Sequence, residues 1–533
     1  MTYPALTGWR QLVLTLMLLC LSFGSRAATL DESVALLNGS FNDKSTAVQN
    51  LMSVGHDQTS VWLQALLDGN LYTDKASNQV VLLVAEQPEF SVQELVSGRT
   101  YSSSKSDLKR IMINNALRKE LRVALSSLAL TSPDSQVRLT AVRALMGSPD
   151  PALTERLTSL QLQETNSDVR DAMTVALAIN EVRNASKPGR NAIEVLGDSL
   201  EPEARNALQQ LHDRNPTAAE GKLAAKSLAN IERKILWSGY IETLFFGLSL
   251  GSVLVLAAIG LAITFGVMGI INMAHGELIM LGAYTTYGIQ LLMPDHIGLS
   301  VLVSIPAAFV VSGLMGILIE RSVIRFLYGR PLETLLATFG ISLILQQLVR
   351  TFVSPQNRTV QTPDWMTGSL ELSPVLSLTW NRIYILIFCL MVFALLFVLL
   401  KRTRLGLQVR AVSQNRAMAR AMGVRSARVD ALTFGLGSGI AGVAGVALSQ
   451  LTNVGPNLGQ AYIIDSFMVV VFGGVGNLWG TLVAGLSLGV ANKVLEPTAG
   501  AVLAKILVLV FIILFIQKFP RGLFPQKGRS AEG

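Results

Sequence analysis

A short polar motif interrupts the apolar second half of the chain. Asn272, His275 and Glu277 lie between two apolar segments and are flanked by glycines. Such a trio fits two interpretations, a simple turn on the cytoplasmic side or a helix break within the membrane, where polar groups are costly and usually line a pathway. The spacing alone favours neither. One histidine and one carboxylate provide too few ligands for a metal site, so we expect no metal and no cofactor.

A second candidate break is rich in glycine. Gly473, Gly474 and Gly476 separate two short apolar segments near 461–476 and 479–496. Most glycines of the apolar half, such as Gly247-x-x-x-Gly251, are typical of close helix packing. Between two short segments, however, they fit the discontinuous helices that form transport sites. The predicted pathway residues are therefore Asn272, His275, Glu277, Gly473, Gly474 and Gly476.

The apolar segments contain few ionisable side chains but several neutral hydrogen-bonding groups, namely Thr264, Thr338, Ser342, Gln346 and Gln347. A small neutral amide such as urea needs donors and acceptors but no counter-charge. A zwitterionic amino acid is better matched by helix ends or a charge pair. Arg350, Lys493 and Lys505 lie near segment ends, where they can reach the interface, so they do not decide the question.

The first half shows no catalytic motif. His56 precedes Asp57 but has no spaced second ligand, so an ordinary surface histidine is the better interpretation. Lys44-Ser45 resembles the end of a phosphate-binding loop, yet Asn38 and Asp43 occupy the positions of its glycines. We therefore predict that the chain is not an enzyme and that any ATP hydrolysis occurs on another polypeptide.

The polar motifs must be positioned by membrane helices. Half of the 533 residues are hydrophobic and only 15% are charged, which is unusual for a soluble protein. A span needs about 20 apolar residues. Seven segments have that character: 240–270, 275–293, 298–320, 332–353, 382–400, 429–452 and 501–517. Together with the two shorter segments, they predict eight or nine spans.

Basic residues in the short loops predict the orientation. Between Lys401 and Arg428 there are eight basic residues and no acid, so this loop is expected in the cytoplasm. Counting back through the spans places everything before Gly239 in the periplasm. Because much of the net charge of +8 lies beside apolar segments, topology explains it better than a nucleic-acid partner, and none is predicted.

The N-terminus fits a signal peptide over residues 1–27, with Arg10 before the apolar run Leu12–Leu21 and small residues at Ser25 and Ala27. A retained membrane anchor is the alternative. Removal of the signal would leave Cys389 as the only cysteine, so no intrachain disulfide is expected.

Residues 28–235 have amphipathic helical patterns and an internal repeat. The segments that begin at Ser135 and Ser167 carry Val-Arg and Ala-Leu pairs at the same offsets. Their spacing is close to that of helix-pair repeats, which bury their apolar faces against neighbouring copies. We predict a small HEAT-like helical domain, with a short hairpin within Leu71–Val84.

These motifs resemble a known family. Asn272-Met-Ala-His275-Gly276-Glu277 is similar to the hallmark of the branched-chain amino-acid ABC permeases, and Phe472-Gly473-Gly474-Val-Gly476-Asn477 resembles their later glycine motif. The resemblance covers nearly all of residues 240–525. The long exported extension, with Glu320-Arg321 and the segment 332–340, resembles the subgroup of urea-transport permeases.

The resemblance implies a coupling helix that docks on an ATPase subunit. Its residues would be Gln414, Asn415, Arg416, Ala417, Ala419 and Gly423, although the leading glutamate of the general pattern is absent. The alternative is that these arginines only enforce topology. The implied partners are a second permease subunit of the same family, cytoplasmic ATP-binding subunits, a periplasmic substrate-binding protein and membrane lipid.

Taken together, the sequence predicts an all-α, polytopic membrane protein with an N-terminal periplasmic domain. The expected units are a signal peptide 1–27, a helical domain 28–235, a permease domain 236–525 and a cytoplasmic tail 526–533. The expected function is ATP-driven import of urea by alternating access. The alternatives are an amino-acid or short-amide permease, a secondary transporter or channel, and a membrane-anchored sensor or scaffold.

Overall fold

The computed structural model describes residues 30–85, 90–148 and 151–524. The predicted signal peptide and the predicted tail 526–533 lie outside these residues. The chain divides into two compact units, one up to Glu232 and one from Arg233 onward.

The first unit consists mainly of short helices. Three precede a sheet: α1 (Leu30–Ala35), α2 (Phe41–Val54) and α3 (Thr59–Asp68). Six follow it: α4 (Asn115–Ala129), α5 (Ser135–Leu145), α6 (Pro151–Gln161), α7 (Ser167–Asn184), α8 (Arg190–Asp198) and α9 (Pro202–Arg214). Capping defines their ends; at α2, for example, Ser40 and Asp43 form a reciprocal capping box and Gly55 ends the helix in the left-handed region.

The sheet of the first unit has five antiparallel strands in the order β4-β3-β2-β1-β5: β1 (Leu71–Asp74), β2 (Val80–Ala85), β3 (Phe90–Glu94), β4 (Thr100–Ser103) and β5 (Leu108–Arg110). The predicted hairpin is present as β1 and β2, with Tyr72 opposite Val81. The other three strands were not predicted. They pack around Val81, Val92 and Leu108, which form a small apolar core of their own and so support a larger sheet.

The two repeated segments become the helices α5 and α7, and equivalent residues cap them. The side chain of Asp134 accepts a hydrogen bond from Gln136 N, and that of Asn166 accepts from Asp168 N and Val169 N. The repeats differ in packing, since Val137 is 43% exposed and Val169 is fully buried. The HEAT-like arrangement stays a prediction.

All nine predicted apolar segments are helices. They are α10 (Ala219–Met268), α11 (His275–Leu292), α12 (Ile297–Ser322), α13 (Pro331–Phe352), α14 (Trp380–Arg402), α17 (Ser426–Ser449), α18 (Leu458–Gly473), α19 (Leu478–Ala499) and α20 (Ala501–Lys518). Seven of the described helices are long and apolar enough to cross a membrane, by length and composition; α11 and the shorter α18 fall outside that group. The predicted class of helical membrane protein is confirmed.

Two regions between these helices have structure of their own. The strands β6 (Ser369–Ser373) and β7 (Leu376–Thr379) form an antiparallel hairpin between α13 and α14, which was not predicted. The basic loop after α14 forms two short helices, α15 (Arg404–Gln414) and α16 (Arg416–Ala421).

Glycines hold the membrane helices together at backbone distance. A Cβ atom at Gly247 or Gly251 would lie 2.7 Å from the Cα of Val490 or Leu486 on α19. On α17, a Cβ atom at Gly442 would lie 2.5 Å from the carbonyl oxygen of Ala308. Such approaches allow only glycine and give α10–α19 and α12–α17 their tight packing.

Candidate functional site

The polar motif is a helix break that returns into the helix bundle. α10 ends at Met268 and Gly269 adopts a positive φ of 67°. His275, the first residue of α11, places its ring Nε2 2.8 Å from the carbonyl oxygen of Ala257. Since Ala257 precedes Met268 by eleven residues, the chain has run back about 17 Å along α10. This geometry favours the break over the simple surface turn.

The three predicted residues of this motif are fully enclosed. Asn272 and His275 are 0% exposed and Glu277 is 1% exposed. Asn272 Oδ1 accepts a hydrogen bond from Ala274 N, while its Nδ2 has no protein partner among the described residues. His275 Nδ1 likewise has no protein partner among the described residues. Because Nε2 faces a carbonyl, which can only accept, Nε2 carries the ring proton.

Glu277 is held by two neutral donors from α13. Its Oε1 accepts from Ser342 Oγ at 3.0 Å and from Gln346 Nε2 at 2.7 Å. Its Oε2 is buried and lacks a hydrogen-bond partner among the described residues. Buried carboxylates are usually paired with a cation. A buried carboxyl with one unused oxygen is instead suited to accept an N–H group from a solute.

Helix α13 buries a stripe of four polar residues. These residues recur every fourth position: Thr334, Thr338, Ser342 and Gln346. Most of the exposed residues along its middle are large and apolar, among them Leu336, Phe339 and Ile344, whereas the exposed polar residues lie near its two ends. Thr338 Oγ1 accepts from Met273 N in the break. In a membrane, such a helix turns its exposed apolar residues toward lipid, while its polar stripe faces the interior of the helix bundle.

Two of the neutral groups considered in the sequence point elsewhere. Gln347 is exposed and donates to Thr351 on its own helix. Thr264 donates to the carbonyl oxygens of Gly260 and Leu261, also on its own helix. The four-residue period of the polar stripe, rather than the number of polar residues, is the signal that identifies the inward side chains.

The glycine motif forms a tight turn between α18 and α19. Gly474 and Gly476 have φ angles of 100° and 80°, which disfavour other residues. Gly476 lies against Gly266, backbone to backbone. Because Gly266 follows Ala257 by nine residues, this turn and the break contact α10 at levels about 14 Å apart. The contacts thus place the two predicted groups at different levels of the bundle.

The start of α18 contacts the break, which the sequence did not indicate. A Cβ atom at Gly276 would lie 2.6 Å from the carbonyl oxygen of Gly459. Each residue therefore allows the other helix to approach at backbone distance. The break is bounded by α10, α13 and α18, with α17 packed against the following turns of α11.

Several of the predicted coupling residues have a structural role in the helix α16. Asn415 caps it by accepting from Met418 N, Ala419 is buried, and Gly423 follows it with a φ of 86°. Arg416 forms an ion pair with Asp430. The exposed residues of this segment are Gln414, Asn415, Ala417, Met418, Arg420, Ala421, Met422 and Gly423. Of these, Gln414, Asn415, Ala417 and Gly423 were predicted from the sequence, whereas Met418 and Met422 were not.

Comparison with known proteins identifies the second unit. Residues 243–516 match the family described as the permease component of the branched-chain amino acid transport system. The chain belongs to this permease family. The match contains the helix break, the polar stripe, the glycine turn and α16.

Curated relatives agree with this assignment. The permease is 31% identical over 293 residues to the high-affinity branched-chain amino acid transport system permease protein BraD of Pseudomonas aeruginosa, and 30% identical over 295 residues to LivH of Escherichia coli K12. Each match covers 53% of the permease and 95% of the relative. The ribose import permease protein RbsC of Bacillus subtilis is 32% identical over 108 residues, 19% of this chain and 34% of that protein. No solved structure matches the permease.

Membership of the family defines the type of protein. A permease component of this kind is a membrane transport subunit without an ATPase site of its own. Such subunits work together with ATP-binding and substrate-binding proteins. The first unit lies outside the matched residues 243–516.

Proposed function

We propose that this permease is the membrane-spanning subunit of an ATP-driven importer of urea. Solute would arrive from a periplasmic binding protein and pass along a path formed with a second permease subunit. ATP-binding subunits on the cytoplasmic side would drive alternating access. Asn272, His275 and Glu277 would line the path at the helix break, and Gly473, Gly474 and Gly476 would form the turn on which α18 and α19 move.

The orientation follows from the basic residues. The segment from Lys401 to Arg428 contains α15 and α16 and has eight basic residues and no acid. The positive-inside rule assigns it to the cytoplasm. If all nine helices cross the membrane, the N-terminal unit would lie in the periplasm, where a signal peptide over 1–27 would deliver it, and the C-terminus in the cytoplasm.

The observation that carries the urea proposal is the neutral lining around Glu277. Ser342 and Gln346 occupy one carboxylate oxygen, and the other is left to accept from the solute. Asn272 Nδ2 provides a free amide donor in the same motif. Urea has N–H donors and a carbonyl acceptor, so it can use both groups without any counter-charge.

A branched-chain amino-acid or short-amide permease is the second candidate. The family description and the names of the relatives favour it. The position of Arg350 also favours this candidate. Arg350 lies one turn beyond Gln346, where its Nη2 donates to Asn457 Oδ1 at 2.7 Å. Together, Glu277 and Arg350 offer opposite charges to the two ends of an amino acid.

Uptake measurements separate these candidates. Labelled urea would be supplied to cells that carry or lack the permease gene, with unlabelled leucine or a short amide as competitor. Urea uptake that depends on the chain and resists leucine supports the proposal. Uptake of urea that is unchanged without the chain refutes it, and strong competition by leucine supports the second candidate.

A second measurement tests the energy source. Removal of residues 413–423, which include α16, should abolish uptake while the protein still inserts into the membrane. Normal uptake by this variant would refute the coupling role. Uptake that follows an ion gradient without ATP would identify a secondary transporter or channel.

A further inference from the structure

Arg416 joins three elements at one end of the membrane unit. It is the first residue of α16, and its Nη2 forms an ion pair with Asp430 Oδ2 on α17. Its guanidinium carbon lies 3.8 Å from the ring centroid of Tyr328, in the turn between α12 and α13. Arg416 therefore contacts an adjacent helix and the loop between two others.

The site is enclosed despite its position at a loop. The side chains of Arg416 and Asp430 are 22% and 4% exposed. Burial of one partner makes loss of the other costly, because an uncompensated charge would remain. By contrast, Arg428 lies on the same helix as Asp430 and is exposed. The arginines of this segment are thus not equivalent: topology needs only their charge, whereas Arg416 has defined partners.

From Asp430, a rigid path leads along α17 to the helix break. Ala283 N on α11 would lie 2.7 Å from a Cβ atom at Gly445, and the carbonyl oxygen of Ala308 on α12 would lie 2.5 Å from one at Gly442. These contacts are between backbones, so no flexible side chain can absorb a shift of α17. Movement of α17 must displace α11, which carries Glu277.

We propose that Arg416 is a positioning residue that converts movement of α16 into movement of α17 and so of the helix break. The proposal rests on the coupling role proposed above for α16. Asp430 and Tyr328 hold the guanidinium from two sides, so a push on α16 reaches α17 and the α12–α13 turn together. The arginine acts through these partners and does not contact the solute.

The test uses the complete importer, reconstituted with its ATP-binding and substrate-binding proteins in proteoliposomes. Arg416→Ala should keep ATP hydrolysis while solute transported per ATP falls roughly tenfold, within the range typical of coupling between sites. Arg428→Ala removes the same charge from an exposed position and should leave this ratio unchanged. An unchanged ratio in Arg416→Ala, or an equal fall in Arg428→Ala, would overturn the proposal.

A second readout does not depend on which solute is carried. Addition of ATP to the unaltered importer should change hydrogen exchange at residues 269–278, and Arg416→Ala should suppress that change. A wild-type importer that moves no urea but shows the exchange change would count against the urea proposal alone. Retention of the change in Arg416→Ala would count against the role of Arg416.

If Arg416→Ala does not assemble, a conservative substitution and a charge exchange provide the test instead. Arg416→Lys keeps the charge but loses the planar group that stacks on Tyr328, so it should reduce transport per ATP. The double exchange Arg416→Asp with Asp430→Arg should recover part of the ratio lost in Arg416→Asp alone. Wild-type coupling in Arg416→Lys, together with no recovery in the double exchange, would refute the mechanism.

Discussion

The contact between α11 and α17 makes a sharp prediction about one glycine. A Cβ atom at Gly282 would lie 2.5 Å from the Cα of Gly442. Ordinary carbon contacts begin near 3.5 Å, so Gly282→Ala must push the two helices apart by roughly 1 Å. Both atoms of the clash belong to fixed positions of helical backbone, so rotation of a side chain cannot relieve it.

The size of the effect follows from this displacement. Overpacking of this kind costs about 1–3 kcal/mol. Gly288 lies on the same helix, and a Cβ atom there would meet nothing within 4 Å. Gly288→Ala should therefore gain the helix propensity of alanine, up to about 1 kcal/mol. The two variants add the same methyl group but should differ by about 1–4 kcal/mol in stability.

Thermal unfolding of the detergent-purified permease, monitored by the fraction that remains monodisperse after heating, ranks the two variants. We expect the unfolding temperature of Gly282→Ala to fall below wild type and that of Gly288→Ala to equal or exceed it. Gly282→Ala should also lose uptake, because α11 carries the break. Equal unfolding temperatures for the two variants would refute the backbone-contact argument.

Three other predictions follow from specific contacts. Gln346→Leu removes a donor to Glu277 and should weaken urea transport about tenfold to a hundredfold, the effect of one hydrogen bond to a charged group, whereas Gln347→Leu should not. Lys505→Met should lower the unfolding temperature by leaving the buried Asp465 unpaired, and addition of Asp465→Asn should restore it. In the first unit, the hydrogen bond from Arg138 lowers the pKa of Glu164. The stability that this ion pair contributes is therefore present above the usual pKa range of glutamate and is lost as the pH falls through the lowered pKa. Glu164→Gln should remove this part of the acid sensitivity, measured by calorimetry at several pH values.

The membrane helices were predictable because lipid leaves the backbone few choices. Within a bilayer the N–H and C=O groups must bond to one another, so a long apolar segment becomes a helix. The sheet of the first unit was harder to predict. Its strands β3 and β4 are short, and the alternation in Thr100–Ser103 resembles that of a polar loop. The sheet depends on pairing between strands, which a local pattern does not show.

The candidate site was predictable in part for a similar reason. Asn272, His275 and Glu277 attract attention because they are polar residues among apolar ones. Their partners Ser342 and Gln346 are 65 and 69 residues away from Glu277, and only the fold brings them together. Arg416 was named as one of several basic residues in its loop. Its burial against Asp430 and Tyr328 requires the packing of α16, which its sequence does not specify.

The buried polar atoms and the glycine contacts serve one physical purpose. A buried polar atom without a partner costs about 1–3 kcal/mol, and the helix break contains three, on Asn272, His275 and Glu277. A flexible bundle would relax until such atoms found partners within the protein. Backbone contacts at Gly276 and Gly282 prevent this by fixing α11 against α18 and α17. A solute that supplied the missing hydrogen bonds would recover that free energy on binding, and under the proposal for Arg416 the same backbone contacts would transmit its movement to the break.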